Sequence, residues 1–436
     1  MIGPVRFLYN IIFPVAVLLM LPGFIMRMIR RGKYRHKFGQ RFGIYSPGVR
    51  EKIAGTGRIW VHAVSVGEVN IALKLIQALR DGDPALTFIL STTTSTGFKL
   101  AASRKSPWLE PIYNPLDFLP VARRAVQTIR PRALILVEAE VWPNVVCETR
   151  RLGAKAILVN ARLSPRSEKR FRAARIIAAP LFNELDAIYL QEPDDIARWT
   201  SLGVHREKLH VTGSIKFDDS ATAPRPVRNF RPVLDAIGVP SDAQVLLGGS
   251  TFEGEEEALA RVFLEIRKTK PDLFLILVPR HHERGDAVAR QMERLGLKVA
   301  RRTQSDQITN PDVLLVDTTG ELVSWYLCAT VVFIGKSLCE RGGQNPAEPL
   351  TAGVPVVFGP HMRNFASLVQ GLLRTQAAIE IFDEASLQAA VNALLSSAEK
   401  RNTMVQRAIK CLEIHRGATD RTVSLLRENA FCTKIN

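Results

Sequence analysis

The chain has 436 residues, 46% of them hydrophobic and 23% charged, with a formal net charge of +17. That length is too great for one ordinary domain, and the composition excludes a disordered or fibrous chain. Five scattered cysteines (Cys147, Cys328, Cys339, Cys411 and Cys432) with no CxxC pair exclude a disulfide framework and a cysteine zinc site and fit a reducing compartment, while the positive excess predicts anionic partners.

The first fifty residues hold no Asp or Glu and nine Lys or Arg, seven of them between Arg27 and Arg41. Between Arg6 and Arg27 runs "FLYNIIFPVAVLLMLPGFIM", without a charge. As a helix rising about 1.5 Å per residue, this stretch reaches across a ~30 Å hydrocarbon core. Asn10, Pro14 and Pro22 are points at which it can kink, which leaves a kinked monotopic insertion as the alternative to a full span. The basic flank keeps the body of the protein cytoplasmic and lies on anionic headgroups. "PGFIMRMIRR" is a poor signal-peptide cleavage site. The expectation is a membrane anchor with a basic collar over residues 1–36.

From Arg58 onward, short apolar runs alternate with amphipathic helical stretches. "IWVHAVSV", "LTFILST", "ALILVEAEV", "KAILVNA" and "AIYLQ" read as strands, with "EVNIALKLIQALR" and "LDFLPVARRAVQTIR" as helices between them. Continuous Val/Ile/Leu strands separated by helices predict a parallel sheet covered on both faces. The pattern breaks at residues 217–234, where prolines predict an interdomain linker, and restarts with "QVLLGGS", "LFLILVP", "VLLVD", "TVVFIG" and "VPVVFGP". The fold class is therefore α/β, with two facing, doubly wound Rossmann-like domains over 37–220 and 221–436 and the last helix able to pack back on the first domain. In such sheets ligands sit beyond the carboxyl ends of the strands, here in the cleft between the domains.

The strand ends carry the chemistry. Glu68, at the start of the helix after "VHAVSVG", is either a dipole-complementing residue or a base kept ionised by the helix N-terminus. "LVEAEVWPN" places Glu138 and Glu140 at the end of a very apolar strand, where alternation points both to one side as a solvated strand end or a functional pair. Lys216 in "VTGSIKFDD" is a surface lysine or a counter-charge for a phosphate or carboxylate. "LLGGSTFEGEEEAL" reads as a strand, a Gly-Gly-Ser-Thr turn whose backbone N–H groups make an anion site, and a helix whose Glu255, Glu256 and Glu257 complement the dipole. Arg280 in "ILVPRHHER" ends a strand and suits a phosphate or nucleobase. In "CERGGQNPAEPLTAGVPVVFGP", Gly342-Gly343 gives a tight backbone, and Glu348, in the first turn of a helix, suits a ribose diol. Asp81-Gly82-Asp83 lies in a helix-to-strand loop and reads as a turn, so no metal is expected. From Arg150 to Arg175 there are nine Lys or Arg and one acid, Glu168. That run is a solvated basic helix or a surface for an anionic acceptor or lipid headgroups. Its few aromatics disfavour nucleic acid.

Eight ordered blocks, "HAVSVGE", "VEAEVWPN", "NARLSPRS", "VTGSIKFD", "STFEGEEE", "LVPRHHER", "DTTGEL" and "GGQNPAEP…GPHMRNF", resemble the 3-deoxy-D-manno-octulosonic acid (Kdo) transferases of lipopolysaccharide synthesis from the N-terminal anchor almost to the C-terminus. The resemblance implies a GT-B fold and an inverting, metal-independent transfer without a cofactor, from CMP-Kdo to the lipid A precursor lipid IVA, at the inner membrane. It implies that Glu68 is the general base and that Glu140 and Lys216 stabilise the transition state. It implies that Pro279, Arg280, Thr319, Gly320, Glu321, Asn345, Pro346, Ala347 and Glu348 bind CMP. Phe252 and Gln344 depart from the family pattern, which has His at both positions. Two rivals stand beside this reading: a membrane-associated enzyme of the same fold that uses a UDP-sugar, and an anion-binding protein with an inactive transferase fold. The full set of Glu68, Glu140 and Lys216 speaks against the second.

Overall fold

The computed structural model describes residues 2–31, 37–55, 57–139, 141–222, 228–339 and 342–431. The chain divides into two compact units, one formed by Met1–Asp218 with Ile414–Asn436, the other by Asp219–Glu413.

The first unit is built on seven parallel strands: β1 (Ile59–His62), β2 (Phe88–Thr92), β3 (Leu109–Tyr113), β4 (Ala133–Val137), β5 (Lys155–Ala161), β6 (Ala187–Leu190) and β7 (Leu209–Val211). Their order is β3-β2-β1-β4-β5-β6-β7. The second has seven more: β8 (Val245–Thr251), β9 (Phe274–Pro279), β10 (Val299–Arg301), β11 (Val313–Leu315), β12 (Val331–Ile334), β13 (Val356–Phe358) and β14 (Ile379–Glu380). Here the order is β10-β11-β9-β8-β12-β13-β14. Every residue of β2, β4, β9 and β12 is buried, as expected for strands covered on both faces. The Val66–Gly82 helix shows the matching helical pattern. Val69, Ala72, Leu75, Ile76 and Leu79 recur every three or four residues and are buried, each worth roughly 1–3 kcal/mol by the area removed from water.

Each sheet reverses its strand order at one point. In the first unit this lies between β1 and β4, which pair with His62 opposite Leu136. In the second it lies between β8 and β12, with Leu247 opposite Val332. Ligands of doubly wound sheets sit outside the carboxyl ends of the strands at these points.

Four strands escape the sequence pattern. β7 and β10 have three residues and β14 two, too few to display a period. β3 contains Glu110 and Pro111, and it stands at the sheet edge, where a proline costs no ladder hydrogen bond. The run "LLGGST" is not a strand followed by a turn: β8 continues to Thr251.

The expected membrane span is also corrected. No helix among the described residues is long and apolar enough to cross a membrane. Residues Ile2–Arg31 do form one helix, unbroken at its prolines, but Arg6, Tyr9 and Asn10 on it are committed to the first unit. Arg6 pairs with Glu148 at 2.5 Å and donates to Asn144 Oδ1 at 3.0 Å. Asn10 Oδ1 accepts from Asn144 Nδ2 at 2.7 Å. Tyr9 Oη donates to Asp117 at 2.9 Å. Asp117 is fully buried and also accepts the backbone N–H groups of Asn144 and Val145 at 2.9 and 2.8 Å, which caps the Pro143–Arg151 helix. Burial pushes the Asp117 carboxyl up to about 7 against these hydrogen bonds. The helix is therefore docked along one side. Phe7, Leu8, Ile11, Ile12, Val15, Leu18 and Leu19 remain exposed at helical spacing.

Candidate functional site

In the first unit the site begins with Glu68. Ser65 caps the Val66–Gly82 helix and accepts from the Glu68 N–H. The Glu68 carboxylate in turn accepts from Val64 N and from Ser65 Oγ, both at 2.9 Å. These contacts describe the helix-start role of Glu68 and leave its carboxylate at the carboxyl end of β1. Donors from the preceding loop orient a half-buried carboxylate just beyond the end of β1.

Glu138 follows β4, the neighbour of β1 across the switch point. The alternation read from "LVEAEV" stops there, because β4 ends at Val137 and Glu138 takes a left-handed φ of 64°. Such a backbone in a non-glycine residue is uncommon and clusters at functional sites. Glu140 lies outside the described residues. Lys216 stands in the first turn of the Ile215–Thr222 helix. Burial lowers its ammonium to about 8, with Arg162 acting in the same sense and the Glu138 carboxylate opposing. The structure thus brings Glu138, Lys216 and Arg162 into one electrostatic neighbourhood, although they are distant in sequence.

Two residues behind these loops were not singled out in the sequence. Asn160, at φ 52° within β5, accepts from Ile215 N through its Oδ1 at 2.9 Å and so pins the start of the helix that carries Lys216. His62, at the end of β1, is buried and holds Trp142. Trp142 Nε1 can only donate, so His62 Nε2 must be the acceptor of their 3.1 Å hydrogen bond. The remaining proton is then on Nδ1, which donates to Ser91 Oγ at 2.9 Å. Ser91 Oγ also accepts from Trp60 Nε1 at 2.8 Å. Burial lowers the His62 imidazole to about 4, consistent with a neutral ring. The histidine of "HAVSVGE" therefore fixes the tryptophan of "VEAEVWPN", tying the Glu68 loop to the loop after β4. Trp142→Phe leaves a buried acceptor unpaired and is expected to cost about 1–3 kcal/mol in denaturant unfolding. His62→Phe with Trp142→Phe should cost less than the sum of the singles, because both break one bond. Additive losses would show that the bond contributes nothing.

In the second unit, Pro279 ends β9 and Arg280 follows it, exposed, with its N–H donating to Thr251 O at 3.0 Å. Thr319 and Gly320 are exposed beyond β11. Glu321 accepts from Thr318 Oγ1 at 2.6 Å and lies 3.4 Å from Arg302 Nε. Beyond β12, Asn345 Oδ1 accepts from Ala347 N at 3.1 Å, Pro346 is the N-cap, and Glu348 stands in the first turn of the Ala347–Thr351 helix. All these segments follow carboxyl ends of strands in one sheet. Gly343, at φ 73°, is required by close approach: a Cβ there would stand 2.4 Å from Met362 Sδ.

The expected backbone anion site at "GGST" is overturned. Glu255 is wholly buried, and its carboxylate accepts the N–H groups of Phe252, Lys336, Ser337 and Leu338 at 2.7–3.0 Å. The run itself stays in β8 as far as Thr251, and the N–H of Phe252 after it is taken, with three from beyond β12, by a carboxylate of the chain itself. Glu256 likewise does more than complement a dipole. It is buried in a bidentate pair with Arg284 at 2.8 and 3.2 Å, which fixes the "HHER" segment. Glu255→Ala strands four donors and is expected to cost about 4 kcal/mol, a fall in melting temperature on the order of 10 °C. An unchanged melting curve would remove the clamp from the account.

Comparison with known proteins gives a consistent picture. Residues 36–219 match the family model described as 3-deoxy-D-manno-octulosonic-acid transferase (kdotransferase). The chain is 30% identical to the 3-deoxy-D-manno-octulosonic acid transferase of Haemophilus influenzae, over 97% of this chain and 98% of that one. It is 34% identical to the protein of the same name from Bordetella pertussis, over 89% of this chain and 90% of that one. Among solved structures, a putative UDP-N-acetylglucosamine 2-epimerase from Listeria monocytogenes covers 87% of this chain and 98% of its own at a TM-score of 0.57 and 13% identity. That last likeness is one of fold.

Proposed function

Since the chain belongs to the Kdo transferases, and is therefore a glycosyltransferase of lipopolysaccharide synthesis, we propose that it moves Kdo from CMP-Kdo to lipid IVA with inversion and without a metal ion. The observation that carries this reading is the Glu68 carboxylate, oriented by hydrogen bonds from Val64 N and Ser65 Oγ at the switch point of the first sheet. In the proposed reaction the acceptor hydroxyl gives its proton to Glu68 as its oxygen bonds to the anomeric carbon of Kdo. The bond from that carbon to the phosphate oxygen breaks, and CMP leaves with the electron pair. Attack from the face opposite CMP inverts the centre. Lys216 and Arg280 supply positive charge for the Kdo carboxylate and the departing phosphate. Glu140 joins Lys216 in the first unit's share of transition-state stabilisation. The second unit holds the nucleotide through Pro279, Arg280, Thr319, Gly320, Glu321, Asn345, Pro346, Ala347 and Glu348.

The proposal includes membrane attachment of the monotopic kind, on the cytoplasmic face of the inner membrane. Supporting it, the docked Ile2–Arg31 helix exposes Phe7 at 70% and Leu19 at 78%. It packs against the Arg175–Phe182 helix, where Ile176 is 88% exposed. Arg166, Lys169, Arg170 and Arg172 are exposed on the adjoining Pro165–Ala173 helix. Apolar side chains facing outward beside a basic surface suit the acyl and phosphate parts of an anionic lipid. Vesicles containing anionic lipid should float the wild type and fail to float a Phe7→Asp, Leu19→Asp variant. Flotation of both would sink this part of the proposal.

The deciding experiment is CMP release from CMP-Kdo in EDTA, with and without lipid IVA. Acceptor-dependent release, inhibited by CMP and not by UDP, is the expected result. Inhibition by UDP alone would favour a UDP-sugar enzyme, and nucleotide binding without release would favour an inactive transferase fold.

A further inference from the structure

We propose that Lys336 is a further donor-binding residue, whose ammonium takes an anionic group of the sugar nucleotide, the phosphate or the sugar carboxylate. The inference deepens the reading of the second unit as the nucleotide-holding part and rests on it.

The first support is position. Lys336 follows β12 and Phe252 follows β8, the two strands that meet at the switch point of the second sheet. The Lys336 Nζ lies over the Phe252 ring, 4.7 Å from its centroid, and the His281 ring packs edge-on against Phe252 at 5.5 Å between centroids. His281 adjoins Arg280 at the end of β9. A lysine, an arginine and an aromatic face thus converge at the carboxyl ends of three adjacent strands, where doubly wound sheets take their ligands.

The second support is the backbone. Lys336 takes φ 58°, a conformation a lysine rarely adopts, and strain of this kind concentrates at ligand clamps. Both of its backbone polar groups are engaged: its N–H donates to Glu255 Oε2 at 2.7 Å and its carbonyl accepts from Gly343 N at 2.8 Å. The chain therefore holds the base of the side chain rigidly while the long stem stays adaptable. That stem passes Gly342, where a Cβ would lie 3.7 Å from Lys336 Cε, on the approach to the Asn345–Glu348 segment.

The third support is charge. Glu255 occupies the N–H groups of Lys336, Ser337 and Leu338, so these three backbone donors are taken by the chain itself. The Lys336 side chain supplies positive charge at the same place. A phenyl face attracts an ammonium, so Phe252 holds the Lys336 head group at the strand ends.

The test measures affinity for CMP and for cytidine by calorimetry, and the KM for CMP-Kdo, in the wild type, Lys336→Gln and Lys336→Gly. The glycine variant suits the left-handed backbone, so a loss there cannot be blamed on unfolding. If the ammonium takes the phosphate, both variants bind CMP about tenfold more weakly and cytidine as before. If it takes the sugar carboxylate, CMP affinity is unchanged and the KM for CMP-Kdo rises by a similar factor. CMP affinity and KM both at wild-type values would overturn the proposal. A wild type that binds no CMP would instead overturn the reading of the second unit.

Discussion

Replacing Glu68 by Gln is expected to lower the transfer rate by about 10²–10⁴, the range that a positioned general base supplies, while leaving CMP affinity at the wild-type value. The amide keeps an acceptor oxygen for Val64 N, so the helix start loses less than about 1 kcal/mol of its cap and the melting temperature should barely move. Single-turnover rates with CMP-Kdo and acceptor, set beside CMP calorimetry, separate the two effects. Turnover within a few-fold of the wild type would remove Glu68 from the role of base and return it to the capping role that its contacts with Val64 and Ser65 also describe.

Lys216→Met is expected to lower kcat/KM by about 10²–10³, the usual cost of removing one preorganised charge from a transition state. The pH dependence gives the sharper readout. The folded-state value of about 8 lies below the ordinary 10.5. Across that window the unfolded chain binds the proton and the folded chain does not, so stability rises with pH through it. The charge that the proposed reaction draws on disappears over the same window. Wild-type activity should therefore fall as pH rises through about 8 while thermal stability improves. The methionine variant should show neither change. A wild-type profile flat through pH 9 would mean that the ammonium is not required.

Much of the fold was legible because strands such as "ALILV" and "FLILVP" are buried on both faces and show it in their composition. The motifs at strand ends were legible because polar residues interrupt those apolar runs. Other features were not. β14 has two residues and no period to read. Glu138 and Glu140 appeared to share one side only on the assumption that β4 continued, and the left-handed φ at Glu138 ends it. The uncharged N-terminal stretch looked able to span a bilayer because hydropathy counts residues without their partners. Arg6, Tyr9 and Asn10 find theirs on Glu148, Asp117 and Asn144.

By itself the sequence determined the class of fold, the family, and which residues stand at the carboxyl ends of strands, since periodicity, apolar runs and ordered motifs are local properties of the chain. Only the tertiary structure decided that His62 is a neutral acceptor for Trp142, that Glu255 fills the N–H groups around Lys336, and that burial lowers Lys216. A protonation state, a filled anion nest and a desolvated charge depend on groups that are remote in sequence and meet only in the folded chain.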